Sequence, residues 1–131
     1  MEFASRFSPF LLSILRIMSG LLVLQHGTSK ILGFPTGPMN STSITSLSGV
    51  GGLFELVCGA LLVIGFQSRI SAFLLSGMTA VAYFVVHAPK GFFPLLNGGE
   101  LAALYCFTFL YLAAAGPGPL SIDALTGRKA G

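Results

Sequence analysis

The chain contains no tryptophan, four acidic residues against seven lysines and arginines, and two cysteines in 131 residues. Charged residues make up only 8% of it, too few polar side chains to cover a water-soluble globule of this size. Cys58 and Cys106 form no C-x-x-C pair, which excludes a dithiol relay and leaves both as small apolar filler. The lysines and arginines are scattered and not interleaved with aromatics, so the pI of about 9.2 is not a nucleic-acid footprint and no nucleic-acid partner is expected. His26 and His87 are the only histidines and lack companions for a haem or metal site, so no metal is expected.

What the chain does have is apolar length. Hydrophobic residues make up 53% of it, and its mean hydropathy is +0.86. Four apolar runs, at about 8–30, 50–66, 70–88 and 99–115, each approach the ~20 residues that a helix needs to cross about 30 Å of hydrocarbon. Together they predict an all-α integral membrane protein, an antiparallel four-helix bundle filling a single domain over 1–131. Arg6 precedes the first run as in a secretory signal, but Arg16 interrupts the run and no small-x-small site follows it. A retained span is expected.

Four spans put both termini on one side. That side collects Arg6, Arg69, Arg128 and Lys129, against Lys30 and Lys90 opposite, so the termini are expected in the cytoplasm and the protein in a bacterial inner membrane. The segment 33–52, rich in Ser, Thr, Gly and Pro, is then an outer loop. Its Asn40-Ser41-Thr42 matches a glycosylation acceptor only as such a composition does by chance. "GFQSR" at 65–69 is short enough to force a hairpin. "HAPKGFFPLLNGG" at 87–99 reads as a loop dipping into the headgroup level. "GPGP" at 116–119 stops the last helix, and Ser121 is placed to cap a short turn after it.

At about 100° per residue, Arg16, Gly20, Val23, Gly27 and Lys30 share one face of the first span, bordered by Ser13, Ser19 and His26. Gly51, Glu55, Gly59 and Leu62 line the second, with Gly52 and Cys58 alongside. The third presents Arg69, Ala72, Ser76, Ala80, Tyr83 and His87, and the fourth Glu100, Ala103, Leu104, Phe107, Tyr111 and Ala114. Membrane helices pack through small residues, and an ionisable group turned to lipid costs ~3 kcal/mol by insertion scales. These faces are therefore expected to meet one another, with Gly20, Gly27, Gly51, Gly52 and Gly59 as packing positions.

His26, Lys30, His87 and Lys90 end the first and third spans on the outer side, where Glu55 and Glu100 begin the second and fourth. Helix dipoles and snorkelling account for Lys30, Lys90 and Glu100. They account poorly for Glu55, roughly 6 Å inside its span, and for Arg16, roughly 12 Å inside its own. Arg16, His26, Lys30, Glu55, Glu100 and His87 thus form a candidate polar cluster or quinone or proton site. Glu55 is expected to pair with His26 or Lys30, and Arg16 to reach upward or to meet backbone carbonyls, water or an anionic ligand. A purely structural lock between helices stands equally open. "HGTSK" with "GGLFEL" is faintly echoed by "HAPK" with "NGGEL", as after a same-orientation duplication.

Taken in order, "RIMSGLLVLQHGTSKILGF", "GGLFELVCGALLVIGFQSRISAF" and "NGGELAALYCFTFLYLAAAGPGPLSID" resemble the successive segments of the DoxX family of small four-helix bacterial membrane proteins. The resemblance falls on Arg16, His26, Gly27, Lys30, Gly52, Glu55, Arg69, Asn97, Glu100 and Asp123. It implies a link to membrane redox complexes, with quinone as the acceptor for thiosulfate oxidation in some relatives. No residue set here resembles a catalytic apparatus for that oxidation, so no catalytic residue is assigned. The expected function is an accessory or quinone-associated subunit with membrane lipid and membrane-protein partners. A small transporter or permeation pathway, and a structural packing subunit of a larger complex, are the alternatives.

Overall fold

A computed structural model describes residues 1–127. Arg128 and Lys129, which entered the orientation argument, lie outside the described residues. Four helices carry the fold: α1 (Ser8–Leu32), α2 (Leu47–Ile64), α3 (Ser68–Ala82) and α4 (Glu100–Ala115). Among the described residues there is no strand. Ser8–Leu32, Leu47–Ile64 and Ser68–Lys90 are long and apolar enough to cross a membrane, and Glu100–Ala115 is a shorter apolar helix.

Each boundary has a local cause. Pro9 sits in the first turn of α1, where a missing N–H costs nothing, and Gly33 ends the helix in the left-handed conformation. Ser46 caps α2 by accepting from Gly49 N at 3.0 Å, and left-handed Gly65 ends it. The cap of α3 is tertiary, because the Asp123 carboxylate accepts from Gln67 N and Ser68 N, each at 3.0 Å. Beyond Ala82 the helix widens into a π turn over Tyr83–His87 and tightens into a 3-10 turn over Ala88–Lys90.

α1 runs antiparallel to α2, with Gly27 against Leu56 and Gly20 against Leu62 and Val63. A Cβ at Gly27 would stand 2.4 Å from the Leu56 nitrogen, so these backbones meet only because that side chain is absent. α3 and α4 are antiparallel too: Arg69 reaches Ala113, Ser76 bonds the Cys106 carbonyl at 2.7 Å, and Tyr83 packs on Gly99. α2 and α3 join the two pairs, whereas α1 touches α4 only lightly.

Val23, Cys58, Leu62, Ala72, Leu75, Tyr105, Phe109 and Leu112 form the core. The buried faces of α1 and α2 are those of the glycine and polar stripes: Ser13, Arg16, Ser19, Gly20, Val23 and Gly27 on one, Gly52, Glu55, Cys58, Gly59 and Leu62 on the other. On α3 the buried face, Ser68, Ser71, Ala72, Leu75, Ser76 and Thr79, is rotated from the expected row and keeps only Ala72 and Ser76 of it. On α4 the expectation was wrong. Tyr105, Phe109 and Leu112 point inward, while Leu104, Phe107 and Tyr111 are 64%, 69% and 58% exposed. That helix is apolar all round and offers no polar stripe to set its phase. Glu100, which anchored the expected row, lies in its exposed first turn.

Candidate functional site

The polar residues separate into two groups at opposite ends of the helices. Arg16 and Lys30 lie on the same helix but roughly 21 Å apart along its axis.

At the end away from the termini, Lys30 Nζ meets Glu55 Oε1 at 2.9 Å, and the two side chains are 14% and 9% exposed. Gly52 makes the pairing possible. A Cβ there would stand 3.0 Å from Cβ and Cδ of Lys30, so the lysine stem crosses α2 over a bare backbone to the carboxylate one turn further on. Tyr105, 8% exposed on α4, stacks on Phe109 at 5.4 Å. An ammonium and a carboxylate are thereby paired between α1 and α2, and the Tyr105 phenol of α4 is buried in the core. They comprise hydrogen-bond donors and one carboxylate acceptor.

The remaining residues at this end are arranged separately. His26 is half-buried and lines a small pocket of about 210 Å³ with Ser29, Pro35, Pro38 and Met39. Its far wall is held by Asn40, whose amide donates to the Ser29 carbonyl at 2.9 Å. His87 shares a 3.2 Å hydrogen bond between Nδ1 and the Asn97 carbonyl, which as an acceptor makes Nδ1 the protonated nitrogen. Asn97, 2% exposed, donates to Tyr83 Oη at 3.2 Å and the Gly91 carbonyl at 2.9 Å, and accepts from Gly99 N at 2.8 Å. Glu100 is exposed. No ion pair other than Lys30–Glu55 occurs among the described residues.

At the terminal end Arg16 is fully buried. Its Nε donates to the Leu62 carbonyl at 2.7 Å, Nη2 to the Leu120 carbonyl at 2.7 Å, and Nη1 to the Pro117 carbonyl. Ser13 Oγ donates to the Pro117 carbonyl at 3.2 Å and accepts from Leu120 N at 3.1 Å. Arg69 donates to the Ala113 and Ala114 carbonyls, the open C-terminus of α4. Asp123 N donates to the Gly65 carbonyl at 2.9 Å, and Ser121 Oγ caps the last turn through Ala124 N at 3.0 Å. Gly65 has φ +73°, and a Cβ on it would lie 2.4 Å from Ser121 Cβ. Segment 116–123 is thus folded back across the ends of all four helices, with Arg16 at its centre.

Of the packing glycines, Gly20, Gly27 and Gly59 stand at the α1–α2 contact and Gly52 under the lysine stem. Gly51 would meet only Met78 Sδ, at 3.8 Å. Tyr105 is the site residue that sequence reasoning missed, since nothing marks an inward tyrosine on a helix apolar all round. Asn97 and Asp123 entered only through the family resemblance, and Arg69 through the charge count and the polar row of the third span as well. Among the described residues no three His, Cys, Asp or Glu side chains converge to hold a metal ion.

Residues 11–88 match the DoxX family. An uncharacterized protein of Haemophilus influenzae is 42% identical over 124 residues, covering 90% of this chain and 92% of that protein. A second uncharacterized protein of the same organism is 38% identical over 71 residues, covering 54% of this chain and 47% of its own length. No solved structure matches the chain.

Proposed function

Because the chain belongs to the DoxX family of membrane proteins, we propose that it acts as an accessory subunit of a bacterial inner-membrane redox assembly, with the Lys30–Glu55 pair as its functional centre. In this reading α4, roughly 24 Å long, crosses the bilayer beside α3 as the fourth span of one domain. Both termini face the cytoplasm.

The observation that carries the proposal is an ion pair held in a helix interface, its side chains only 14% and 9% exposed. Breaking such a pair in a membrane is costly, and ionisable groups at that depth commonly mark ligand or proton sites. The donor set suits a quinone headgroup. Lys30 keeps N–H donors beyond the one given to Glu55, the Tyr105 hydroxyl is a further donor, and the lipid-facing helices are apolar enough for an isoprenoid tail. A bound quinone supplies an acceptor for two electrons and two protons. Lys30 and Tyr105 would orient its carbonyls, and Glu55 would hold or pass a proton at its carboxylate.

Native purification in mild detergent tests this. Partner chains are expected to co-migrate with the protein, and quinone extracted from the complex is expected to fall when Glu55→Gln or Lys30→Met is introduced. A protein that runs alone and carries no quinone overturns the reading. If Glu55→Gln disturbs assembly but leaves electron transfer per assembled complex normal, the pair is a structural lock and the chain a packing subunit. Proteoliposome flux abolished by Glu55→Gln would instead make it a permeation pathway.

A further inference from the structure

The chain between α3 and α4 comes back at a depth set by the register of the two helices. Ser76 of α3 bonds the Cys106 carbonyl of α4, and seven residues further along each helical path Tyr83 packs on Gly99. Beyond Tyr83 the path of α3 continues for seven more residues to Lys90, roughly 10 Å further from the termini. To start α4 the chain must return over that ~10 Å, so residues 91–98 share one slab with residues 83–90.

That slab straddles the edge of the hydrocarbon. The 23 residues of Ser68–Lys90 span roughly 34 Å against the ~30 Å of a hydrocarbon core, whereas α4, at roughly 24 Å, falls short of it. Phe84, Val85 and Val86 on the outgoing path are exposed, and the return matches them: Phe92, Phe93, Leu95 and Leu96 are 87%, 62%, 77% and 77% exposed. Such a patch marks a membrane or a protein contact, and here its depth selects the membrane.

The polar groups of the return are met within the protein. Asn97, 2% exposed, ties its two ends together by donating to the Gly91 carbonyl at 2.9 Å and accepting from Gly99 N at 2.8 Å. The Phe93 carbonyl accepts from Leu96 N and Asn97 N, both at 2.9 Å, and Pro94 has no N–H to satisfy. Irregular backbone near lipid needs internal partners of this kind. Lys90 and Glu100 flank the patch, exposed, in no ion pair among the described residues, and within side-chain reach of the headgroups.

We infer that residues 91–97 form a re-entrant wedge in the leaflet away from the termini, with Phe92, Phe93, Leu95 and Leu96 among the upper acyl carbons and Lys90 at the phosphates. The wedge supplies the length that α4 lacks and holds the far end of the α3–α4 pair at a fixed depth. Neither the Lys30–Glu55 pair nor any redox role is involved, so this inference stands or falls independently of the proposed function.

The protein has no tryptophan, so a single one introduced reports its own surroundings. Full-length Phe84→Trp, Phe93→Trp and Leu96→Trp, each checked as monodisperse in detergent, are reconstituted into phosphatidylcholine vesicles with and without bromine on the upper acyl carbons, and iodide serves as the aqueous quencher. Brominated lipid is expected to lower the emission of all three roughly twofold, as for side chains about 5–10 Å inside the interface, and iodide to leave it nearly unchanged. Emission of Phe93→Trp and Leu96→Trp that iodide quenches and brominated lipid does not would put the return in water, and emission that neither reaches would put protein over it. Either outcome overturns the inference.

Discussion

Two cations in this protein, Arg16 fully buried and Lys30 largely so, solve the same problem in different ways. Lys30 is a flexible point charge neutralised by one carboxylate, whereas Arg16 is a planar fork whose N–H groups are spread over three backbone carbonyls. The second arrangement cannot be kept by a shorter set of donors. Arg16→Ala leaves buried carbonyls unsatisfied, at ~1–3 kcal/mol each, and is expected to lower stability by more than ~3 kcal/mol. Arg16→Lys should recover only part of that, because one ammonium cannot match the fork. Thermal melting in detergent distinguishes the three proteins. For Lys30 and Glu55 the expected signature is non-additivity. Each single neutralisation strands a charge, so Lys30→Met with Glu55→Gln should cost less than the sum of the singles, by ~1–3 kcal/mol of coupling. Additive losses in a double-mutant cycle would mean that the 2.9 Å contact carries no energy.

Helix against helix, stability depends on which positions lack side chains. Gly27→Ala drives a Cβ into the α2 backbone, 2.4 Å from the Leu56 nitrogen, and must separate α1 from α2. Gly77→Ala meets nothing within 4 Å and removes only the conformational freedom of glycine. The first is expected to destabilise strongly and the second to be neutral or slightly stabilising, as read from apparent Tm. For α4 the inward face makes an equally direct prediction. Phe109→Ala opens a cavity in the core at ~3–5 kcal/mol, while Phe107→Ala, on the exposed face, should change little. The reverse order would restore the face that sequence periodicity suggested.

Across the whole molecule, the returning segment 116–123 ties the two helix pairs together at the terminal end in addition to the α2–α3 turn. It bonds Arg16 and Ser13 of α1, Gly65 after α2 and the first N–H groups of α3. A chain truncated after Gly116 loses the Pro117 and Leu120 acceptors of Arg16 and the Asp123 cap together. It is expected to yield little folded protein, measurable as monodisperse material in detergent gel filtration. Asp123→Ala removes the buried carboxylate that caps α3 while leaving the backbone acceptors of Arg16 in place, and should cost more than the ~1 kcal/mol of an ordinary cap while leaving the protein monodisperse. Equal yields of folded truncated and full-length chain would show that the returning segment is an ornament on an already stable bundle.

Much of this was legible in the sequence, and the exceptions share a cause. Membership of the membrane class, the all-α fold and the inward faces of α1 and α2 follow from apolar run length and from polar residues and glycines recurring at helical spacing. Lipid excludes those faces whatever the partner helix. The phase of α4 was not readable because an all-apolar helix presents nothing for lipid to reject, and only packing in the common core with residues such as Ala72 and Leu75 of α3 chose the face of Tyr105 and Phe109. The choice of Lys30 over His26 for Glu55 likewise waited on the space above Gly52. Arg16 could be singled out from its depth alone, but not its partners. They are carbonyls of residues up to 104 positions away, and a backbone carbonyl, being common to every residue, leaves no mark in the sequence of the acceptor.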